Sequence, residues 1–544
     1  LLTISFALGG LGLLLLGMHL MTEGLKSAAG HRLHDLLERT TQTRFRAAMT
    51  GFGITAIVQS SSAVIVTTLG FTNAGMLKLK QAAWVVFGSN LGTTMTAWIV
   101  ALVGLKLNVD VIAMPMIGLG MLLKLLVKKG AAPHLGVAFA GFGLLFLGLD
   151  VLQENFDDLA TQLPFEQLNA AGVWGIILGV LIGALLTALI QSSSASIAII
   201  LSASTTGVLS PLLAASLIIG ANLGTTATSV LTTIGATANA KRLAWLHVLE
   251  KFFTALIALL LLPSMWWVSS KLMEVSGPTD ISAGLALFHT LFNVLSLFLM
   301  AGLADRLIRL VERLVKQPDL SSELPRYIDD TVLSIPAMGI SAMQSELKRV
   351  FKQLLQRAMQ LSNPAIPVQE DERYVNTSVL LKTIERFSHK LGTQNLGSSS
   401  EAFLNLNWAI QECSELRVLL HELSALGEPA LNRSLTPELR ELLLSVFALG
   451  QLKQLSAEHR EICIERYKQG RRKLRQKWLS GVANSEAQAI VMAENLQVLA
   501  LFEESIKRVL RVAEALYPAQ SEETIPETKR AVPSHDPSEN FSGI

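Results

Sequence analysis

The sequence predicts an all-α, polytopic membrane protein made of two repeats, followed by a cytoplasmic, antiparallel bundle of helices. Three observations carry that expectation. The string GFGITAIVQSSSA at 51–63 returns as GALLTALIQSSSA at 183–195, and GSNLGTT at 88–94 returns as GANLGTT at 220–226. Aligned without a gap at an offset of 132, residues 51–96 and 183–228 agree at 21 of 46 positions. The first 303 of the 544 residues are apolar runs joined by short charged connections, whereas charged residues return in force from Asp305. A polar tract duplicated inside apolar sequence is the pattern of membrane transporters assembled from two halves.

In chain order, runs near 1–22, 81–104, 109–128, 135–153, 211–236, 246–268 and 282–303 are each long enough to cross a bilayer at roughly 20 residues per span. No basic segment precedes the first run, so it is expected to be a true span and not a signal peptide. The two QSSSA tracts lie in stretches 47–75 and 172–206, which are too long for one helix and polar in the middle. Each is expected to be a re-entrant hairpin, because unpaired backbone at membrane depth is tolerated only where it is buried or lines a cavity.

The charges orient this plan. With the N-terminus outside, the inside connections 23–46, 73–80, 124–134, 237–245 and 304–316 carry 16 Lys and Arg, and the outside ones carry only Lys106 and Lys271. That is a positive-inside distribution, of the kind a bacterial inner membrane protein shows. Each unit then has an odd number of spans, so the repeats (about 1–128 and 135–268, with a final span at 282–303) are inverted and their serine tips meet near the midplane. GLGLLLLGMHL at 10–20 and GFGLLFLGLDV at 141–151 are a weaker echo of the same duplication.

Gln59, Ser60, Ser61 and Ser62, with Gln191, Ser192, Ser193 and Ser194, supply amides and hydroxyls but no charge. Such groups donate to an oxyanion or accept a cation, and helices broken beside them add N–H dipoles for an anion and carbonyls for a cation. No Lys or Arg lies in 51–75 or 172–206, so helix ends and co-bound cations must balance an anion there. Asn90, Thr93 and Thr94 match Asn222, Thr225 and Thr226, and their oxygens are hard ligands suited to Na⁺. The flanking glycines either free carbonyls for an ion or serve close helix packing. Thr55 and Thr187 fall four residues before each Gln and either line the cavity or bond back to their own helix. His289 and Asn293 are one turn apart in the last span, a spacing repeated by His247 and Lys251 with Glu250 between. Intramembrane ionisable groups point to function; for His289 an interhelical bond is the alternative, and for Glu250 and Lys251 pairing or snorkelling.

The paired QSSS tracts, the paired G-x-N-x-GTT segments and ALFHTLFN at 285–293 resemble the sodium/phosphate cotransporter family over residues 1–303. The resemblance implies that Gln59 to Ser62 and Gln191 to Ser194 hold phosphate and that Na⁺ is the co-transported ion, with no organic cofactor. Ala63 and Ala195 follow the serine triplets where many members have Thr, which leaves the Na⁺ count open.

Beyond a linker at 304–324, amphipathic segments over 325–517 carry breaks at Pro364, Pro367, Gly427 and Pro429. By position and length the resemblance implies a PhoU-like domain here. Glu370, Asp371 and Glu372 are the candidate metal ligands, against the plainer alternative of a solvated helix start. Residues 518–544 have the composition of a disordered tail. Cys413 and Cys463 have no metal or disulfide spacing. The expected protein is a non-enzymatic carrier of inorganic phosphate coupled to Na⁺ and regulated by its helical domain. Its partners are the bilayer, phosphate and Na⁺, with a homo-oligomer and a signalling partner left open and no nucleic acid. The alternatives are a phosphate exporter without Na⁺ coupling and a membrane phosphate sensor.

Overall fold

The fold is that of a computed structural model. It describes residues 2–29, 37, 40–73, 76–104, 109–162, 165–234, 236–276, 280–316, 324–333, 336–363, 372–394, 396, 399–449, 457–481 and 486–517. Among them the regular structure is helical, as expected. Two compact units separate, one of Leu1–Arg349 with Val375–Leu404 and one of Val350–Tyr374 with Asn405–Ile544.

In the first unit the helices are α1 (Leu2–Ala29), α2 (Arg44–Val58), α3 (Ser61–Asn73), α4 (Leu79–Gly92), α5 (Thr94–Ile99), α6 (Val109–Leu126) and α7 (Ala132–Gln162), then a short α8 (Phe165–Ala170). They continue as α9 (Gly172–Ile190), α10 (Ser193–Thr205), α11 (Pro211–Leu231), α12 (Ala238–Leu260), α13 (Leu262–Ser276) and α14 (Ile281–Leu314). The duplication is visible in the boundaries: α3 and α10 begin at Ser61 and Ser193 and end at Asn73 and Thr205, the same offset of 132. Local chemistry sets the ends. Thr43 caps α2 by accepting from the Arg46 N–H, and Ser210 caps α11 ahead of Pro211.

Seven helices are long and apolar enough to cross a membrane: Ser5–Ala29, Leu79–Leu102, Ala132–Phe156, Gly172–Ile190, Pro211–Leu231, Ala238–Leu260 and Ile281–Leu314. The number agrees with the expectation, but the membership differs. The expected span at 109–128 forms a shorter apolar helix interrupted by Pro115. Gly172–Ile190, expected as a hairpin arm, is long enough alone because Thr187 is its one polar side chain. Large apolar side chains on the outside, such as Leu181, Leu185 and Leu189 on α9, make the face that lipid would cover.

Glycines hold the inside together by letting backbones touch, since lipid gives apolar side chains little reason to leave it. A Cβ on Gly88 would lie 1.8 Å from the Ala48 carbonyl oxygen, and one on Gly220 would lie 2.0 Å from that of Val180. Gly51 and Gly183 face Val85 and Leu217 equally closely, at 2.0 and 2.1 Å. Helices α1 and α7, which carry the weaker echo, lock through Gly10 against Gly148 and Gly17 against Gly141. As one number rises the other falls, so the two helices run antiparallel and offer each other the same face.

The chain following α14 returns to the apolar helices within this unit. Asp329 accepts hydrogen bonds from the Asn73 side chain at 2.8 Å and the Thr237 N–H at 2.9 Å. Glu346 accepts the N–H groups of Arg326 and Tyr327 at 2.7 and 2.8 Å, fixing the strap that carries Asp329. In the second unit Leu416, Leu420, Phe502 and Ile506 are buried, and Arg508 donates to Glu412 at 2.8 Å. Cys413 is buried, and burial pushes its thiol above the usual range, so it stays protonated and inert.

Gly88→Val or Gly220→Val should force the paired helices apart and cost about 1–3 kcal/mol. Gly53→Ala, whose Cβ meets nothing within 4 Å, should be nearly silent. Thermal unfolding of the detergent-solubilised protein distinguishes these outcomes.

Candidate substrate and ion site

The helices break where the sequence repeats. Gln59 ends α2 with φ 59° and ψ 27°, and Gln191 ends α9 with φ 58° and ψ 24°. Among the described residues these two are the non-glycine residues with positive φ. That left-handed turn costs an ordinary side chain roughly 1–2 kcal/mol, and such strain tends to collect at functional sites. Each turn is closed identically, with the Gln N–H donating to the Thr55 or Thr187 carbonyl at 2.7 Å. The next serine caps the following helix: Ser60 Oγ accepts from the Ala63 N–H and Ser192 Oγ from the Ala195 N–H, both at 3.2 Å. The cap uses one of the four first-turn N–H groups that a helix cannot satisfy itself, so each tip presents further donors to the break.

One hydroxyl joins the two tips. Thr96, buried in α5, donates to Gln59 Oε1 at 2.7 Å and receives the Ser194 hydroxyl at 3.4 Å. Gln59 also donates through Nε2 to its own Ala56 carbonyl and is buried, while Gln191 is exposed. Ser61, Ser62 and Ser194 are half-buried and Ser193 is buried. The Ser192 hydroxyl reaches Met18 Sδ at 3.3 Å. Thr55 and Thr187 differ: Thr55 donates to Ser89 Oγ at 2.9 Å, whereas the buried Thr187 hydroxyl has no partner. The reason is local, since Ala221 stands at the position equivalent to Ser89.

The G-x-N-x-GTT threonines bond inward. Thr93 and Thr225 donate to the carbonyls of Asn90 and Asn222 at 2.6 and 2.7 Å, and Thr94 and Thr226 to those of Leu91 and Leu223 at 2.7 and 2.8 Å. Their own hydroxyls thus occupy carbonyls that were expected to be freed for an ion. The glycines beside them serve packing: a Cβ on Gly92 or Gly224 would meet Thr55 or Thr187 Cβ at 2.6 or 2.8 Å.

Behind the tips lies a charged core. Glu250 and Lys251 in α12 are 0% and 1% exposed, so they pair in the interior and do not snorkel. Glu250 accepts from Asn90 Nδ2 at 3.0 Å and from the Ser296 hydroxyl. Lys251 Nζ donates to Asn293 Oδ1 at 3.2 Å and Asn222 Oδ1 at 3.4 Å, and stands 3.8 Å from Glu250 Oε1. The two asparagines of the repeated motif therefore meet opposite charges. His247 Nδ1 shares a hydrogen bond with Ser229 Oγ at 2.7 Å. His289 is buried with neither ring nitrogen partnered, so the expected interhelical bond is not formed among the described residues.

Glu370 and Asp371 lie outside the described residues, as does the side chain of Glu372. Among the described residues no group of three or more His, Cys, Asp or Glu is placed to hold a metal ion. Sequence reasoning missed Thr96, Ser89 and Ser296. Thr96 had a signal, because it ends the repeat alignment and matches Thr228.

Broken helices meeting at uncharged polar tips, over a buried ion pair and within apolar helices, define a multi-pass membrane protein of the transporter class. The chain belongs to the Na⁺/Pi-cotransporter family, whose model matches residues 13–154 and 161–296. This is a family of transporters and not of enzymes. It is 26% identical over 476 residues to the putative inorganic phosphate export protein YjbB of Escherichia coli K12, covering 85% of this chain and 83% of that one. It is 28% identical over 353 residues to the Salmonella typhimurium protein of the same name, covering 64% of this chain and only 63% of the relative. The uncharacterized protein YqeW of Bacillus subtilis is 30% identical over 305 residues, 55% of this chain and 94% of that relative. No solved structure matches.

Breaking a buried ion pair on one side strands a charge and costs about 3–5 kcal/mol, whereas replacing both partners costs much less. Glu250→Gln and Lys251→Met should each lower thermal stability sharply in Na⁺-free buffer. The double variant should lie above both singles, as measured by a double-mutant cycle of unfolding in detergent.

Proposed function

We propose that this chain is a secondary active transporter of inorganic phosphate coupled to Na⁺, working by alternating access at a site between the two polar tips. The observation that carries the proposal is the pair of equivalent left-handed glutamines, one of which, Gln59, is joined through Thr96 to Ser194 of the opposite serine tract. Two helix N-termini with serine hydroxyls and spare N–H donors suit a tetrahedral oxyanion. The phosphate ligands are Gln59 to Ser62 and Gln191 to Ser194. Na⁺ is held near them with help from Asn90, Thr93, Thr94, Asn222, Thr225 and Thr226, and Thr55, Thr187, His289 and Asn293 are accessory. Transport requires that affinity differ between the two facing states, or a gradient could drive nothing.

The tips belong to opposed re-entrant hairpins of inverted repeats. In support, α1 and α7 run antiparallel and present the same glycine face to each other, as a two-fold axis in the membrane plane requires. The Lys and Arg distribution supports a bacterial inner-membrane location with the N-terminus outside and the helical half in the cytoplasm. That half is a PhoU-like regulator of the carrier. Export without Na⁺ coupling is the second reading, favoured by the names of the relatives from Escherichia coli and Salmonella.

Radiolabelled phosphate flux in proteoliposomes, with and without an imposed Na⁺ gradient, tests this. Na⁺-stimulated flux that Gln59→Ala with Gln191→Ala abolishes is the expected result. Flux indifferent to Na⁺ would select the second reading, and binding without flux would indicate a sensor. Thr96→Val should weaken phosphate affinity about tenfold, the size expected for one lost hydrogen bond to a site group.

A further inference from the structure

The position of Lys251 is built like a cation site. Its ammonium sits in a dry interior against three oxygens: Asn293 Oδ1 at 3.2 Å, Asn222 Oδ1 at 3.4 Å and Glu250 Oε1 at 3.8 Å. It also stands 5.7 Å from the centre of the Phe292 ring, within range of a cation–π contact. Both amides are held so that oxygen must face it. Asn222 Nδ2 donates to the Ile218 carbonyl and Asn293 Nδ2 to the His289 carbonyl, each at 2.9 Å. Two fixed amide oxygens and a carboxylate are the donor set that a hard monovalent cation takes in the absence of water. In the first repeat the equivalent Asn90 points its NH₂ at the other oxygen of Glu250. The charge is therefore supplied once, from one repeat, between elements of both.

We propose that Lys251 is a tethered cation occupying a position that Na⁺ would otherwise fill between Asn222, Asn293 and Glu250. A covalently attached charge balances Glu250 and fastens α11, α12 and α14 together, but it cannot be released to either side. This position therefore draws no energy from a Na⁺ gradient, and any Na⁺ coupling runs through a site elsewhere, beside the serine tips. His247 and His289, one turn from Lys251 and Asn293 on their own helices, do not bond to the ammonium. The inference deepens the transporter reading, yet its test needs no transport.

The test is Na⁺ binding to full-length protein in detergent, without phosphate, with choline replacing Na⁺ at constant ionic strength. Lys251→Ala leaves the three oxygens and the Glu250 charge. It should gain a saturable, Na⁺-specific rise in melting temperature and one more bound ²²Na⁺ than the parent protein. Lys251→Ala with Glu250→Gln, which removes the demand for a cation, should gain neither. Equal Na⁺ binding and equal Na⁺ response in the parent and Lys251→Ala would overturn the inference. Should Lys251→Ala fail to fold even in Na⁺, Tl⁺-soaked crystals of the parent decide the matter. Anomalous density between Asn222 and Asn293 would overturn the proposal, and density confined to the serine tips would uphold it. A transporter that moves no phosphate but passes these tests would cost the functional reading and leave this one standing.

Discussion

A helix that ends in an apolar surrounding leaves backbone groups that water cannot reach, and the whole architecture answers that constraint. Both polar breaks solve it identically, with a strained glutamine returning its N–H to the threonine carbonyl and a serine capping the next helix. The solution is only partial, because each tip keeps first-turn donors that its cap does not use. Close helices must then seal the surroundings. The glycines of α2, α4, α9 and α11 let backbones approach until no Cβ would fit. Strain, capping and glycine packing are thus one arrangement, and none of the three would be stable without the others.

The buried ion pair organises what lies behind the tips. Charges there are tolerable only when paired and fully hydrogen-bonded. Glu250 meets that demand through Asn90 and Ser296, and Lys251 through Asn222 and Asn293. Four helices, α4, α11, α12 and α14, are joined through six side chains. The repeats are consequently symmetric in backbone and asymmetric in charge: equivalent asparagines act as donor in one half and acceptor in the other. The missing hydroxyl at Ala221, which leaves Thr187 without a partner, is a second departure from symmetry.

Much of this was legible in the sequence, for reasons that can be named. A duplicated string reports equivalent backbone, so a break in each QSSS tract was readable, although the turn falls at Gln59 and Gln191 and not among the serines. The same tool left two readings of the glycines beside Asn90 and Asn222, because a glycine that frees a carbonyl and one that admits a neighbouring helix look alike in one dimension. Hydropathy expects a span at 109–128 and a hairpin at 172–206; the first is an apolar helix of 18 residues and the second breaks at Gln191, although its first arm is long enough to cross alone. The partner of Lys251 was beyond reach. Its spacing from His247 imitated that of Asn293 from His289, while the structure brings Lys251 and Asn293 together, and only three dimensions hold that contact.

The contact between α9 and α11 has a mechanical consequence. Gly183 on one side and Gly220 and Gly224 on the other bring backbone to backbone, Gly179 takes the Ser216 side chain, and the outer face of α9 carries the exposed Leu181, Leu185 and Leu189. Knobs of leucine or isoleucine would have to climb over one another for the helix to shift along its axis. A glycine-lined seam is closer to a plain bearing, tight against separation yet shallow against sliding, and shear of packed helices is one of the ways domains move. Were the second serine tip to move, sliding of α9 along this seam would disturb the packing less than its separation from α11.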